Sequence, residues 1–93
     1  MHLLLEYELA EDYLERRAAL REDHLALARA AHERGELLLA GALPDPHDRA
    51  LLVWTADRDV VERFAASDPY VVHGLVTAWS VRRWDVVVGG QPA

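Results

Sequence analysis

Four side chains of this sequence have residue types and positions that suit acid/base chemistry on an anionic molecule: His24, Asp68, Arg17 and Arg21. His24 lies in a stretch rich in Ala, Leu, Glu and Arg, without Gly or Pro, which predicts a helix. On a helical wheel at about 100° per residue, His24 falls near the centre of the apolar arc. That arc is formed by Leu14, Leu20, Leu25, Leu27, Ala28 and Ala31. Arg17 and Arg21 lie beside His24, so three nitrogen-bearing side chains cluster on the face expected to meet the sheet.

Two interpretations of this cluster stay open. Histidine is the usual general acid or base near neutral pH, and arginine suits an anionic or enol-type ligand. His24 is therefore a candidate catalytic group, with Arg17 and Arg21 as candidate substrate-binding groups. The alternative is that His24 is a hydrogen-bonded core histidine and both arginines extend their guanidinium groups to water.

Asp68 stands in the segment Ser67-Asp68-Pro69-Tyr70, where the proline favours the end of a helix. Taken alone, the segment is an ordinary Asx-Pro turn. If the fold brings it to His24, the carboxylate would orient the imidazole and select its tautomer, as in other acid/base pairs. Tyr70 would then either donate its hydroxyl group into the same pocket or simply pack.

The elements that must position these groups follow the order βαββαβ. Strands are predicted at His2–Leu9, Glu36–Leu43, Ala50–Thr55 and Leu75–Val88, and helices at about Glu11–Arg34 and Arg58–Ala66, with a helical turn at Val71–Gly74 and a loose tail at Gly89–Ala93. This order predicts one α+β domain over residues 1–93, of the ferredoxin-like type, with both helices on one face of a four-stranded antiparallel sheet. The second face also carries apolar residues, so a second copy is expected to cover it.

Several residues add detail to this outline. The apolar run at Glu36–Leu43 predicts a strand buried on both faces, and Gly41 inside it indicates a bulge or the close approach of a ligand or backbone. Trp54, Trp79 and Trp84 are predicted as core or dimer-interface anchors. The remaining histidines show no metal-ligand spacing, so no metal site is expected; they are His2, His32, His47 and His73.

The net charge and the residue types of the chain disfavour several classes of partner and cofactor. The 93 residues carry 16 acidic and 10 basic side chains, for a net charge of −6, which disfavours nucleic acid and anionic membranes as partners. The sequence has no cysteine, no apolar run long enough to span a membrane, and no signal-peptide pattern, so a cytoplasmic protein is expected. A glycine-rich phosphate loop and a Gly-x-Ser-x-Gly elbow are also absent, and no cofactor is expected.

Three segments resemble the YciI-like family in order and spacing. They are Arg21-Glu22-Asp23-His24-Leu25, the stretch from Gly35 to Ala42, and Ser67-Asp68-Pro69-Tyr70 with the residues to Leu75. The resemblance extends over nearly the whole chain, to the basic and aromatic residues around Trp84. Its most specific feature is Arg-x-x-His-Leu combined with Asp-Pro-Tyr.

The resemblance implies a dimeric α/β-barrel in which two sheets pack face to face. It also implies an active site built on a His–Asp pair, which falls here on His24 and Asp68. Many members have no known function, and some are similar to cofactor-free lyases such as dehydrochlorinases and muconolactone-isomerase-like enzymes. Two positions depart from the family pattern: Glu22 stands where proline is frequent, and the segment Ala40-Gly41-Ala42 stands where Ala-Gly-Pro is common.

These observations favour a cofactor-independent lyase or isomerase acting on a small anionic or enolisable molecule. His24 would be the general acid/base, Asp68 would orient it, and Arg17 or Arg21 would stabilise negative charge. The rival hypothesis is a non-catalytic ligand-binding or dimerisation module. A haem- or flavin-using monooxygenase of the same superfamily is a third hypothesis, without a cofactor motif to support it.

Overall fold

A computed structural model describes residues 1–89, which form the α+β fold predicted from the sequence. The strands are β1 (His2–Leu9), β2 (Leu37–Leu43), β3 (Arg49–Trp54) and β4 (Val76–Trp84), and the helices are α1 (Tyr13–Glu33), α2 (Arg58–Ser67) and α3 (Pro69–Val72). The four strands form one antiparallel sheet in the order β2-β3-β1-β4, as the ferredoxin-like arrangement requires.

The strand register separates the two faces of the sheet. On β1, Leu3, Leu5 and Tyr7 are all buried, and they pair with Trp54, Leu52 and Ala50 of β3. Because side chains alternate along a strand, these residues share the face that α1 and α2 cover. Leu4, Glu6 and Glu8 point to the opposite face, which we call the open face.

The interpretation of β2 as a strand buried on both faces is wrong for the single chain. β2 is an edge strand, and Leu39 and Leu43, which pair with open-face positions of β3, are 66% and 45% exposed. Leu37 is buried under α1, so only one side of the apolar run reaches the core. The continuous apolar run correctly indicates that both faces of β2 are apolar. It does not indicate whether the same chain covers the second face.

Gly41 does not form the predicted bulge. The register shift in β2 lies between Leu37 and Leu39, whereas Gly41 pairs regularly with Leu51. A Cβ atom built on Gly41 would meet nothing within 4 Å, so no part of the described chain approaches it closely. The approach of a ligand at Gly41 stays a prediction.

The remaining differences concern element ends and tryptophans. β4 ends at Trp84, four residues before the predicted Val88, and α3 begins at Pro69 rather than Val71. Trp54 is fully buried, as predicted for a core anchor, but Trp79 and Trp84 are 37% and 47% exposed and do not belong to the core of this chain. Of the predicted tail, residues 90–93 lie outside the described part of the chain.

Helix α1 places His24 over the sheet. Small residues one and two turns further along, Ala28 and Ala31, are buried and let the helix approach the sheet closely. The helix ends before Gly35, whose φ of 78° suits glycine at the end of a helix, and the chain then turns directly into β2. As a result, α1 lies along β2 with His24 near the middle of the helix.

Candidate active site

Asp68 is positioned by the end of α2. Pro69 follows it, and Asp68 adopts extended backbone angles, φ −65° and ψ 124°, while its N–H still donates to Phe64 O of α2. The side chain then turns inward and accepts a hydrogen bond from the backbone N–H of Tyr70, capping α3. The sequence Asp-Pro-Tyr thus forms an Asx-Pro turn whose carboxylate is fully buried.

This buried carboxylate meets two side chains from distant parts of the sequence. The Tyr7 hydroxyl donates to Asp68 Oδ2 over 2.8 Å. Nδ1 of His24 lies 2.9 Å from Oδ1 and 3.0 Å from Oδ2. With the Tyr70 N–H, Asp68 therefore has three donors around it, which satisfies a carboxylate in a dry environment.

The hydrogen bond between His24 and Asp68 determines which nitrogen of the imidazole remains available. Since Asp68 is the acceptor, Nδ1 of His24 carries the hydrogen, and Nε2 is left as the second functional atom of the ring. Within residues 1–89, Nε2 makes no hydrogen bond. The His24 side chain is 14% exposed, whereas Asp68 lies behind it with no exposure. The pair therefore presents one imidazole nitrogen to solvent and hides the carboxylate.

Tyr70 completes the wall around His24. Its ring stacks on the imidazole with 3.9 Å between centroids and 7° between planes, and it meets Tyr13 edge-on at 5.8 Å. The Tyr70 hydroxyl is buried and has no hydrogen-bond partner within residues 1–89. Burial raises the pKa of the Tyr70 phenol above its usual value, Tyr13 acts in the same direction, and the nearby Arg21 and Arg17 act against it. Tyr70 is thus a neutral hydrogen-bond donor without an acceptor.

These groups line a cleft of about 560 Å³ between α1 and β2. Its aromatic and charged lining residues are Tyr7, Tyr13, Arg17, Arg21, His24, Arg29, His32, His47 and Tyr70. Backbone and apolar side chains from Leu37 to Ala42, including Gly41, form the opposite wall. The volume lies within the usual range for a small-molecule site.

The structure brings together five of the six predicted site residues in this cleft: His24, Arg17, Arg21, Tyr70 and Gly41. Asp68 does not line it and lies behind two lining side chains that it contacts, His24 and Tyr7. The sequence did not indicate Tyr7, although a tyrosine on a core-facing strand position needs a partner for its hydroxyl group.

Four further lining residues were also not predicted: Tyr13, Arg29, His32 and His47. His32 donates through Nδ1 to the Leu37 carbonyl over 2.7 Å, and His47 lies beside the Tyr13 ring. Spacing along α1 could have indicated His32, which is two turns beyond Leu25, but the position of His47 depends on the loop after β2.

No group of three metal-binding side chains occurs among residues 1–89, and no helix described there is long and apolar enough to cross a membrane. Of the other histidines, His2 is buried at the start of β1, and His73 is exposed, with its carbonyl accepting a hydrogen bond from Arg16.

The buried phenols predict a pH dependence. Burial and the adjacent Asp68 carboxylate raise the pKa of Tyr7, and burial raises that of Tyr70. Above about pH 10 the unfolded chain loses tyrosine protons that the folded chain keeps, so the free energy of unfolding should fall as pH rises past this value. Tyrosinate absorbance should appear at higher pH in the native protein than in denaturant, and Tyr7→Phe should reduce the difference. Coincident titration of native and unfolded protein would contradict the burial of both phenols.

A solved structure resembles this fold closely. It is a 5-chloro-2-hydroxyhydroquinone dehydrochlorinase from Burkholderia phenoliruptrix, in complex with 2,5-dihydroxybenzoquinone. The TM-score is 0.76, and the similarity covers 91% of this chain and 94% of that one at 22% sequence identity. At this identity the likeness shows a shared fold.

Sequence relatives show the family. The chain is 33% identical over 81 residues to Protein YciI of Escherichia coli O6:H1 and to Protein YciI of Shigella flexneri, covering 76% of this chain and 83% of each relative. The family model for the YCII-related domain matches residues 1–85, which include every residue of the cleft and Asp68. The chain therefore belongs to the YCII-related domain family.

Proposed function

We propose that this protein is a cofactor-independent lyase or isomerase that moves a proton on a small anionic or enolisable molecule. The observation that carries the proposal is the pairing of His24 Nδ1 with the buried Asp68 at 2.9 Å, which leaves Nε2 free at the cleft. A free imidazole nitrogen in a cleft is the arrangement that general acid/base catalysis uses.

In this proposal, Nε2 of His24 removes a proton from a hydroxyl group or an acidic carbon of the substrate. The electron pair left behind forms a new double bond, and a leaving group such as chloride departs with its own bonding pair. In an isomerisation, the imidazolium returns the proton to another atom instead. Both outcomes need one group that accepts and gives a proton, and neither needs an oxidant or reductant.

Asp68 is a positioning residue in this scheme. Its contact with Nδ1 selects the tautomer with Nε2 unprotonated and stabilises the imidazolium that forms after proton transfer. The stacked Tyr70 ring holds the imidazole plane from one side. Arg17 and Arg21 are close to Tyr70 in the same cleft and are placed to stabilise negative charge on the substrate.

A homodimer belongs to the same proposal. The open face and the β2 edge expose three large apolar side chains, Leu39, Leu43 and Trp84, and such exposed apolar groups are typical of an interface between subunits. A second copy packed on the open face would cover these side chains without covering α1, so the cleft would stay accessible to a small molecule.

The experiment is a turnover screen of the purified protein against chlorinated hydroquinones and lactones in buffer containing a metal chelator. We expect release of chloride or a change in ultraviolet absorbance that is linear with enzyme concentration, and that persists with the chelator because the proposed proton transfer uses protein side chains alone. Turnover that stops when metal is chelated would contradict the proposed mechanism.

A further inference from the structure

The charge of the cleft differs from that of the whole protein. Although the chain has a net charge of −6, no aspartate or glutamate among residues 1–89 lines the cleft, and three arginines do. Among the described residues, Arg17, Arg21 and Arg29 form no ion pair, as is also true of Arg58 and Arg82 outside the cleft, whereas the other five arginines do. Within residues 1–89, no acidic side chain therefore compensates the positive charge of the cleft.

The region around Tyr70 gives a second and independent indication. The Tyr70 side chain is only 3% exposed, lines the cleft, and leaves its hydroxyl group without an acceptor. A buried polar group without a partner is costly, and in a ligand site it marks a place where a ligand atom is expected. The positive charges of Arg21 and Arg17 both act on this hydroxyl.

We infer that the ligand of this cleft carries a carboxylate, which binds Arg21 and the Tyr70 hydroxyl group with Arg17 beside them. A guanidinium group and a carboxylate match in plane and spacing, and the phenol supplies one further donor to an oxygen. A neutral hydroquinone would offer no charge to the unpaired arginines. The inference rests on the proposed function only in placing the reacting end of the ligand at His24.

The distances along α1 agree with a compact ligand. Arg21 is three residues before His24, about one helical turn, so a carboxylate bound at Arg21 places its next few atoms beside the imidazole. The stacked ring of Tyr70 and the ring of Tyr13 offer apolar contacts for a planar group. An aromatic or enolic carboxylate of one ring is therefore the class that fits.

Calorimetric titration with two matched probes tests this inference: a dihydroxybenzoate, and the carboxamide of the same ring. The wild-type protein should bind the carboxylate at least about tenfold more tightly, since one charged hydrogen-bonded pair contributes about 1.5–3 kcal/mol. Arg21→Gln should reduce this preference to near unity, and Tyr70→Phe should weaken carboxylate binding severalfold. Arg58→Gln, which removes an exposed arginine of α2 outside both the cleft and the open face, is the matched control and should leave the preference unchanged.

Equal affinity for the two probes, no binding of the carboxylate, or equal effects of Arg21→Gln and Arg58→Gln would overturn the inference. Binding and turnover together distinguish a failure of this inference from a failure of the proposed function. If the preference depends on Arg21 but the wild-type protein converts no substrate, the carboxylate site stands and the proposed chemistry fails. If the protein converts neutral hydroquinones without any preference for the carboxylate, the chemistry stands and the carboxylate site fails.

Discussion

Replacing Asp68 with alanine is expected to lower the free energy of unfolding by about 2–4 kcal/mol, because it leaves several buried donors without an acceptor. Those donors are the Tyr7 hydroxyl, the Tyr70 N–H and Nδ1 of His24. Asp68 has no exposed surface, so water does not replace the lost oxygens without rearrangement. Urea unfolding followed by circular dichroism measures the change.

The matched control is Asp59→Ala on α2. Asp59 also accepts a hydrogen bond at 2.9 Å, from Arg63, but both side chains are largely exposed, so its loss should change stability far less. Tyr7→Phe should lie between the two variants, since it removes one of the three donors and leaves the other contacts of Asp68 in place. Equal stability of Asp68→Ala and Asp59→Ala would show that the buried contacts of Asp68 do not stabilise the fold.

The sequence singles out two residues of this site, because each departs from the local pattern around it. His24 could be singled out because a polar residue in an apolar arc departs from the pattern of the helix. Asp68 could be singled out because Pro69 must interrupt a helix at that point. Their contact could not be derived from either pattern, because it depends on the packing of α1 against α3, and it was expected from the family resemblance.

Other features carried no such signal. Tyr7 alternates with leucines on a core-facing strand, so nothing in the pattern distinguishes its hydroxyl group. The exposure of Leu39 could not be predicted either, because an apolar strand at the edge of a sheet has the same composition as a central one. Element order and strand pairing were predicted well because the periods of helix and strand alternate clearly along the chain.

Replacing His24 with asparagine is expected to reduce turnover roughly a hundredfold to ten-thousandfold, the usual contribution of a general acid/base group. Asparagine places a side-chain amide where the Nδ1–H of histidine lies, so a donor to Asp68 is kept. The substitution removes Nε2, the atom proposed to transfer the proton. The fold should therefore be retained while the chemistry is lost.

The same helix offers a matched control in His32. It also lines the cleft and also donates through Nδ1, to the Leu37 carbonyl at 2.7 Å, so His32→Asn makes the same chemical change at a position that Asp68 does not contact. We expect His32→Asn to keep the turnover of the wild-type protein within a few fold. Thermal unfolding of both variants checks that neither loses its fold.

The most direct test of a His24–Asp68 acid/base pair is the initial rate of the wild-type protein, His24→Asn and His32→Asn on a substrate identified in the turnover screen. We expect a large loss of turnover in His24→Asn alone, with all three proteins folded. A folded His24→Asn variant that converts the substrate as fast as the wild-type protein would contradict it.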